Sequence, residues 1–310
     1  MRTVGLFVTV GWLVCAPSAW ADQVQPSSAV PSAALPSPAV YSDSVFRYDL
    51  RVDVPITVVG IAAWATTEVL KPQIGPTECR WCDRAADGTD TLNGLDAGVR
   101  RLLVSGNKGV PDQISNVTAF GMMPVLMVGL GALSNYSQGS AKQGLIDLLL
   151  VAEATALAVD VNQLVKYAAG RERPFVHVLP ASEKSLVPNA ADNNVSFYSG
   201  HTTLTFALAT ATGTVASLRG YRLAPVIWTI GIPLATLTGI LRISADRHYF
   251  TDVMTGAVIG SAMGFLGPWL HKKQKPGAAM SIYPVITTSR QSHPLSSEGV
   301  MAGLVWSGTL

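Results

Sequence analysis

Lys166-Tyr-Ala-Ala-Gly-Arg171-Glu-Arg173-Pro174, Ser196-Phe-Tyr198-Ser199-Gly200-His201-Thr202 and Arg242-Ile-Ser-Ala-Asp-Arg247-His248-Tyr-Phe-Thr-Asp252 are three polar clusters in an otherwise apolar stretch. Each stands at the edge of a long apolar run. The runs are Val117–Leu133, Leu145–Val165, Thr202–Leu218, Ala224–Leu241 and Val253–Leu270. Apolar residues fill all sides of these segments, so each is expected to be a helix surrounded by protein or lipid. With up-down connections, the end of one helix, the start of the next and the junction of the last two fall at one end of a bundle. Such an end gathers Lys166, Arg173 and Arg242, the imidazoles of His201 and His248, and a helix N-terminus with the N–H groups of Gly200 and His201. That combination is an anion site.

The composition agrees with this picture. The chain has 310 residues, 48% hydrophobic and 14% charged, with a net charge of +2. Soluble domains carry about 25% charged residues. So small a net charge, with no basic stripe, excludes nucleic acid as a partner.

The fold expected is all-α, a bundle of four to six long apolar helices, membrane-embedded or soluble. Arg2, the apolar Val4–Val14 and Ala19-Trp20-Ala21 form a cleavable export signal over residues 1–21. A Ser/Pro/Ala-rich linker occupies 22–45, the helical domain 46–272 and a tail 273–310. In the tail, Met280–Thr288 and Gly299–Trp306 alternate weakly, as strands or disordered segments do.

Lys142, Arg219, Arg222, Lys272, Lys273 and Lys275 fall on connections opposite the clusters. For spanning helices this places the clusters outside, facing the periplasm of a bacterial envelope. A cleaved signal followed by six spans would place them inside. Either Val54–Leu70 does not cross, or the bundle is soluble. The acids Asp147, Glu153 and Asp160 favour solubility, and the uncharged runs favour the membrane.

Before the clusters, Cys79 and Cys82 are expected to close a local disulfide. A zinc site there would need two more ligands, and none lie nearby in the sequence; an EF-hand is excluded because Ala85 and Gly94 occupy its ligand positions. Leu92–Val104 has the pattern of an amphipathic helix with Asp96, Arg100 and Arg101 on its wet face. Arg171 and Arg247, beside the clusters, are expected to be surface charges.

His248 and Asp252 are four apart, so a helix starting there puts them on one face. A carboxylate on one imidazole nitrogen fixes the tautomer and frees the other as a nucleophile. A second histidine can protonate a leaving oxygen, and Lys and Arg stabilise a transferring phosphoryl group. This chemistry calls for neither metal nor cofactor.

The clusters resemble the three signature motifs of the type-2 phosphatidic acid phosphatase superfamily, which includes membrane lipid phosphatases, soluble acid phosphatases and vanadium haloperoxidases. Lys166, Arg173 and Pro174 fit the first motif, Ser199, Gly200 and His201 the second, and Arg242, His248 and Asp252 the third. The resemblance covers about Leu145 to Leu270. It implies that His248 attacks phosphorus, Asp252 orients it and His201 acts as acid, then base. Lys166, Arg173, Arg242, Ser199 and Gly200 would hold the phosphate. Tyr198 replaces the motif proline and Leu241 the motif serine. The expected activity is hydrolysis of a phosphomonoester or diphosphate, a lipid first. The alternatives are a soluble broad-specificity acid phosphatase, a vanadate-dependent peroxidase and a non-catalytic envelope protein.

Overall fold

Two structural facts set the architecture: the Ala/Thr-rich helix is the one enclosed on all sides, and the most apolar helices lie outermost. The computed structural model describes residues 45–273 and the backbone of 281–289 and 299–307. Helix α1 is Leu50–Ile74 and α2 is Gly94–Leu103. Helix α3 (Gly109–Val117) continues through a π-helical turn at Thr118–Met122 into α4 (Met123–Gln138), and α5 follows at Ala141–Ala169. Three one-turn helices come next: α6 (Pro174–His177), α7 (Ala181–Lys184) and α8 (Ala190–Asn193). The chain then forms α9 (Gly200–Arg219), α10 (Ala224–Ser244) and α11 (Phe250–Leu270). Residues 281–289 (β1) and 299–307 (β2) pair antiparallel, with Ser281 opposite Ser307, over the tail segments whose sequence alternates.

Local chemistry fixes the helix ends. Ser140 and Gln143 form a reciprocal capping box at the start of α5, and Gly170 ends that helix in the left-handed conformation. Gly220 ends α9 in the same way. Helix α9 packs against α4, α5, α10 and α11. Its buried face consists largely of alanine and threonine, and the threonines return their hydroxyls to carbonyls one turn back, as Thr205, Thr210 and Thr203 do. Opposite it, Gly256, Gly260 and Gly264 recur every fourth residue along α11. A Cβ at Gly260 would stand 2.5 Å from the Thr203 carbonyl oxygen. These glycines let the two backbones touch, a mode of helix association common in membranes.

Four helical stretches are long and apolar enough to cross a membrane: Leu50–Ile74, Gly109–Gln138, Ala224–Ser244 and Phe250–Leu270. A 21-residue helix is about 32 Å long, close to the ~30 Å of a hydrocarbon core. Their outer faces are densely apolar, with Val58, Val59, Val69, Val125, Leu237, Val258 and Phe265 all exposed. An apolar surface of this extent belongs in lipid rather than water. The bundle is therefore membrane-embedded.

The acids of α5 do not oppose this conclusion, because they point inward. Asp147 accepts from Arg219 Nε and from the Tyr221 hydroxyl, both at 2.8 Å. Asp160 faces Gly60 of α1. Arg219, expected among the connecting cations, is a buried partner rather than a free surface charge.

Val54–Leu70 lies within α1, which packs against the bundle and is long and apolar enough to cross a membrane. Helix α1 runs parallel to α5 along its length. Gly60 lies against Ala156, Gln163 Nε2 donates to Glu68 Oε1 at 2.6 Å, and the Tyr167 hydroxyl donates to the Thr67 carbonyl at 2.8 Å. At the other end Phe46 bridges to Lys272.

Replacing Gly260 with leucine should force α9 and α11 apart, costing at least ~2 kcal/mol. Thermal unfolding in detergent checks this, with Gly94→Ala as a neutral control because nothing lies near that position.

Candidate active site

Four helix ends converge on one cavity of about 500 Å³. Lys166 comes from the last turn of α5, Gly200 and His201 from the first turn of α9, and Arg242 from the last turn of α10. His248 comes from the loop leading into α11, and Arg173 from the loop after α5. All six line the cavity wall. Gly200 is required by the close approach of Lys166: a Cβ there would meet Lys166 Nζ at 2.8 Å and Asn162 Oδ1 at 2.9 Å.

His248 is buried, and its Nδ1 lies 2.7 Å from the Ser196 carbonyl oxygen. A carbonyl only accepts, so Nδ1 carries the proton and the Nε2 lone pair is available. Arg173 Nη1 stands 3.3 Å from that Nε2. Burial, and then the charges of Arg173, Arg242 and Lys166, push the imidazole well below its ordinary range. It is therefore neutral at pH 7. Asp252 Oδ2 is 3.8 Å from Nδ1, beyond hydrogen-bond reach, and acts on the ring through charge. The hydrogen bond expected from the four-residue spacing is supplied by Ser196 instead.

Asp252 lies behind the cavity wall. Its Oδ2 accepts from Ser196 Oγ at 2.6 Å and from the Tyr249 N–H at 2.9 Å, and its Oδ1 accepts from Arg171 Nη1 at 2.7 Å. Ser199 is also behind the wall: its hydroxyl accepts from Thr202 at 2.9 Å, and its N–H donates to the Asp252 carbonyl. Opposite His248, His201 Nε2 is 2.6 Å from Asn116 Oδ1, and its ring meets Phe120 edge-on.

Five cations and three carboxylates line the cavity, a net positive well suited to a phosphate dianion. Lys71 and Arg247 join Lys166, Arg173 and Arg242. Asp112 accepts from Arg242 at 2.6 Å and from Arg247 at 3.0 Å. Asp192 takes Arg173 at 3.1 Å and Lys71 at 3.3 Å. The Arg173 charge, with Lys71 and Lys166 behind it, holds the Asp192 carboxyl far below the usual carboxylate range. These carboxylates hold the arginine forks in place; Arg242 keeps a buried Nε with no hydrogen-bond partner.

Arg171 is not a surface charge. It is fully buried, with its guanidinium between the Trp81 ring at 4.3 Å and the Tyr249 ring at 4.1 Å. It donates to Asp83 at 3.0 Å, Asp96 at 2.9 Å and Asp252 at 2.7 Å. Burial works against its charge, but Asp252, Asp96 and Asp83 more than compensate and raise its pKa above the usual arginine range. The Cys79–Cys82 disulfide forms as the sequence suggests and closes the loop that presents Trp81. Asp96, expected on the wet face of α2, is fully buried and also accepts from the N–H and hydroxyl of Thr251. Arg100, from the same face, forms a bidentate pair with buried Asp246 at 2.6 and 2.7 Å.

Residues 147–276 match the PAP2 superfamily. A stretch of 178 residues is 31% identical to the lipid A 1-phosphatase of Porphyromonas gingivalis, covering 57% of this chain and 35% of that protein. The chain thus spans about a third of the length of the curated relative it matches. Its structure is similar to the crystal structure of the first transmembrane PAP2-type phosphatidylglycerolphosphate phosphatase from Bacillus subtilis. That similarity has a TM-score of 0.43 and 20% identity, over 70% of this chain and 94% of that one.

Lys166, Arg173, Gly200, His201, Arg242 and His248 all fall inside the matched segment. Trp64, Lys71, Asp112, Asn116 and Phe120 complete the cavity from the chain before it. Sequence reasoning missed Asp112, Asn116 and Asp192, since nothing in their local pattern sets them apart. Arg171 was missed for the same reason: its partners Asp83, Asp96 and Asp252 are 88, 75 and 81 positions away.

Arg171→Gln leaves three carboxylates without their shared cation. The variant should lose about 3–5 kcal/mol of stability and at least ~10-fold in kcat, as when an outer partner of a site ligand is removed. Arg171→Lys should rescue it poorly, because a point charge cannot satisfy a three-way fork. Denaturation midpoints and initial rates check this; an unchanged kcat in the folded variant would show that Asp252 needs no such anchor.

Proposed function

We propose that this chain is a lipid phosphatase that works through a phosphohistidine at His248, with its site on the outer side of the membrane. The observation that carries the reading is the cationic well around a buried, neutral His248 whose Nδ1 proton is held by a backbone carbonyl. The match of residues 147–276 to the PAP2 superfamily and the similarity to a lipid A 1-phosphatase support phosphate-ester hydrolysis.

In the first step the Nε2 lone pair of His248 attacks phosphorus in line with the leaving oxygen. Arg173, Arg242 and Lys166 balance the charge on the non-bridging oxygens, and the Gly200 N–H adds the field of the α9 N-terminus. As Nε2 bonds to phosphorus the ring becomes cationic, and the Asp252 charge stabilises it. The P–O bond breaks, and the departing alkoxide takes a proton from His201, which enters this step as the imidazolium, protonated beside the negative charge of the bound phosphate. In the second step His201 accepts a proton from water, the water oxygen bonds to phosphorus and the P–N bond breaks. Inorganic phosphate leaves, and His248 returns to its neutral state.

The lipid preference rests on a neighbouring apolar cavity of about 210 Å³. It is lined by Ile61, Val128, Leu148, Ala152 and Leu208, and shares Trp64, Val159 and Leu204 with the phosphate cavity. It runs between α1, α4, α5 and α9, so an acyl chain can lie along it while the headgroup reaches His248. A soluble ester would have no use for this cavity.

Phosphate release should be measured from phosphatidate, phosphatidylglycerophosphate, undecaprenyl diphosphate, lipid A and an aryl phosphate. A lipid should be the fastest substrate, and His248→Ala should abolish its turnover while the protein still folds. Ala152→Phe, which fills the apolar cavity, should lower the ratio of lipid to aryl phosphate turnover. Release from the aryl phosphate alone would favour a broad-specificity acid phosphatase.

The orientation rests on Lys142, Arg222, Lys272 and Lys273, which lie at the end away from the site. With α1 crossing, Phe46 starts on that inner side, whereas cleavage after Ala21 would leave the chain on the outer side. Labelling decides between them. In a Cys15→Ser background, a cysteine at exposed Ser185 should react with a membrane-impermeant maleimide added to intact cells. One at exposed Arg222 should react only after permeabilisation. The reverse pattern would place the site in the cytoplasm.

A further inference from the structure

Asp53 of α1, Glu153 of α5 and His271 at the end of α11 meet inside the bundle, away from the phosphate cavity. Thirteen residues of one helix separate Glu153 from Lys166, about 20 Å. One potential ligand atom from each of the three residues lies within 4.8 Å of the others. Glu153 is 7% exposed and Asp53 is 6% exposed. The Glu153 Oε2 is buried and accepts no hydrogen bond. Among the described residues, no lysine or arginine pairs with either carboxylate. Two buried carboxylates this close repel each other, and one of them lacks a partner, so a cation is missing from the charge balance.

The histidine indicates which cation. His271 Nδ1 lies 2.8 Å from the Gly267 carbonyl, so it carries the proton and leaves the Nε2 lone pair facing the acids. A ligating imidazole is held in this way, with its other nitrogen donating to a carbonyl. Nε2 stands 3.8 Å from Asp53 Oδ1, too far for a hydrogen bond. Two ligands of one zinc ion, each about 2.0–2.2 Å from it, stand at a similar separation. The surroundings hold the three residues in place. Asp53 Oδ2 accepts from the Asp49 N–H at 2.8 Å, the Arg47 N–H donates to the His271 carbonyl at 2.6 Å, and Gly267 lies against Ala154 beside Glu153.

We infer that Asp53, Glu153 and His271 bind one divalent transition-metal ion, tying α1, α5 and α11 together at the end of the bundle opposite the phosphate site. One imidazole and two carboxylates suit a borderline ion such as Zn²⁺ or Mn²⁺ better than Mg²⁺ or Ca²⁺, which prefer oxygen alone. The site is structural. It takes no part in phosphoryl transfer and does not depend on the function proposed above.

The test uses the full chain, purified in detergent without a histidine tag and stripped with a chelator. It is then dialysed against Zn²⁺ or Mn²⁺ and its metal content measured. One equivalent should bind and raise the unfolding temperature by several degrees, and Glu153→Gln and His271→Ala should lose both effects. X-ray absorption at the zinc edge of the wild-type protein should show one imidazole among oxygen ligands; this needs no variant to fold. The inference is overturned if the wild-type protein takes up no stoichiometric metal. It is equally overturned if both variants bind as it does, or if zinc shows two imidazoles, which would place it between His201 and His248.

Discussion

Arg171 is the residue on which the rest of the site depends. A single guanidinium, fully buried between Trp81 and Tyr249, serves Asp83, Asp96 and Asp252. Each carboxylate belongs to a different part of the chain: the disulfide loop, α2 and the start of α11. Without the cation, the buried Asp96 and Asp252 and the partly buried Asp83 would face one another, a far larger cost than a lost surface ion pair. The arrangement fixes where α11 begins, and with it where Asp252 and His248 stand. The polar segment before residue 147 therefore contributes to the site although it does not line the phosphate cavity through Trp81, Asp83 or Asp96.

The cavity follows the same logic with the signs reversed. Its cations are crowded enough to repel, and Asp112 and Asp192 lie among them and hold their forks in position. The remaining positive charge is what a phosphate dianion would meet. The same crowding, added to burial, keeps His248 neutral, as a nucleophile must be. On the proposed reading, preorganised charge serves both phosphate binding and the protonation state of His248.

Much of this was legible in the sequence. Helices bounded by polar clusters, with up-down connectivity, bring Lys166, Arg173, His201, Arg242 and His248 to one end, and the structure places them on one wall. The Cys79–Cys82 bridge and the helix at 94–103 were also readable from local pattern. What was not legible depends on contacts between distant residues. Asp96 and Arg171 are 75 positions apart and Asp112 and Arg242 are 130 apart, and neither pair leaves a periodic trace. Asp96 and Arg100 sit on the face that periodicity assigns to water, because α2 buries that face against charged partners rather than apolar ones. The acids of α5 misled in the opposite sense. Asp147, Glu153 and Asp160 argue for a soluble bundle only until their inward direction is known. Helix α1 looked peripheral because of Glu68 and its threonines, yet those residues are what bind it to Gln163 and Tyr167 of α5.

The central claim is that His248 Nε2 bonds to phosphorus. It is tested most directly by rapid quenching of turnover on a ³²P-labelled lipid phosphate, followed by peptide mapping. The account predicts label on the peptide containing His248, labile to acid and stable to base, formed and lost at rates compatible with turnover. Label on any other residue, or steady phosphate release with no covalent phosphoenzyme at any quench time, would contradict it.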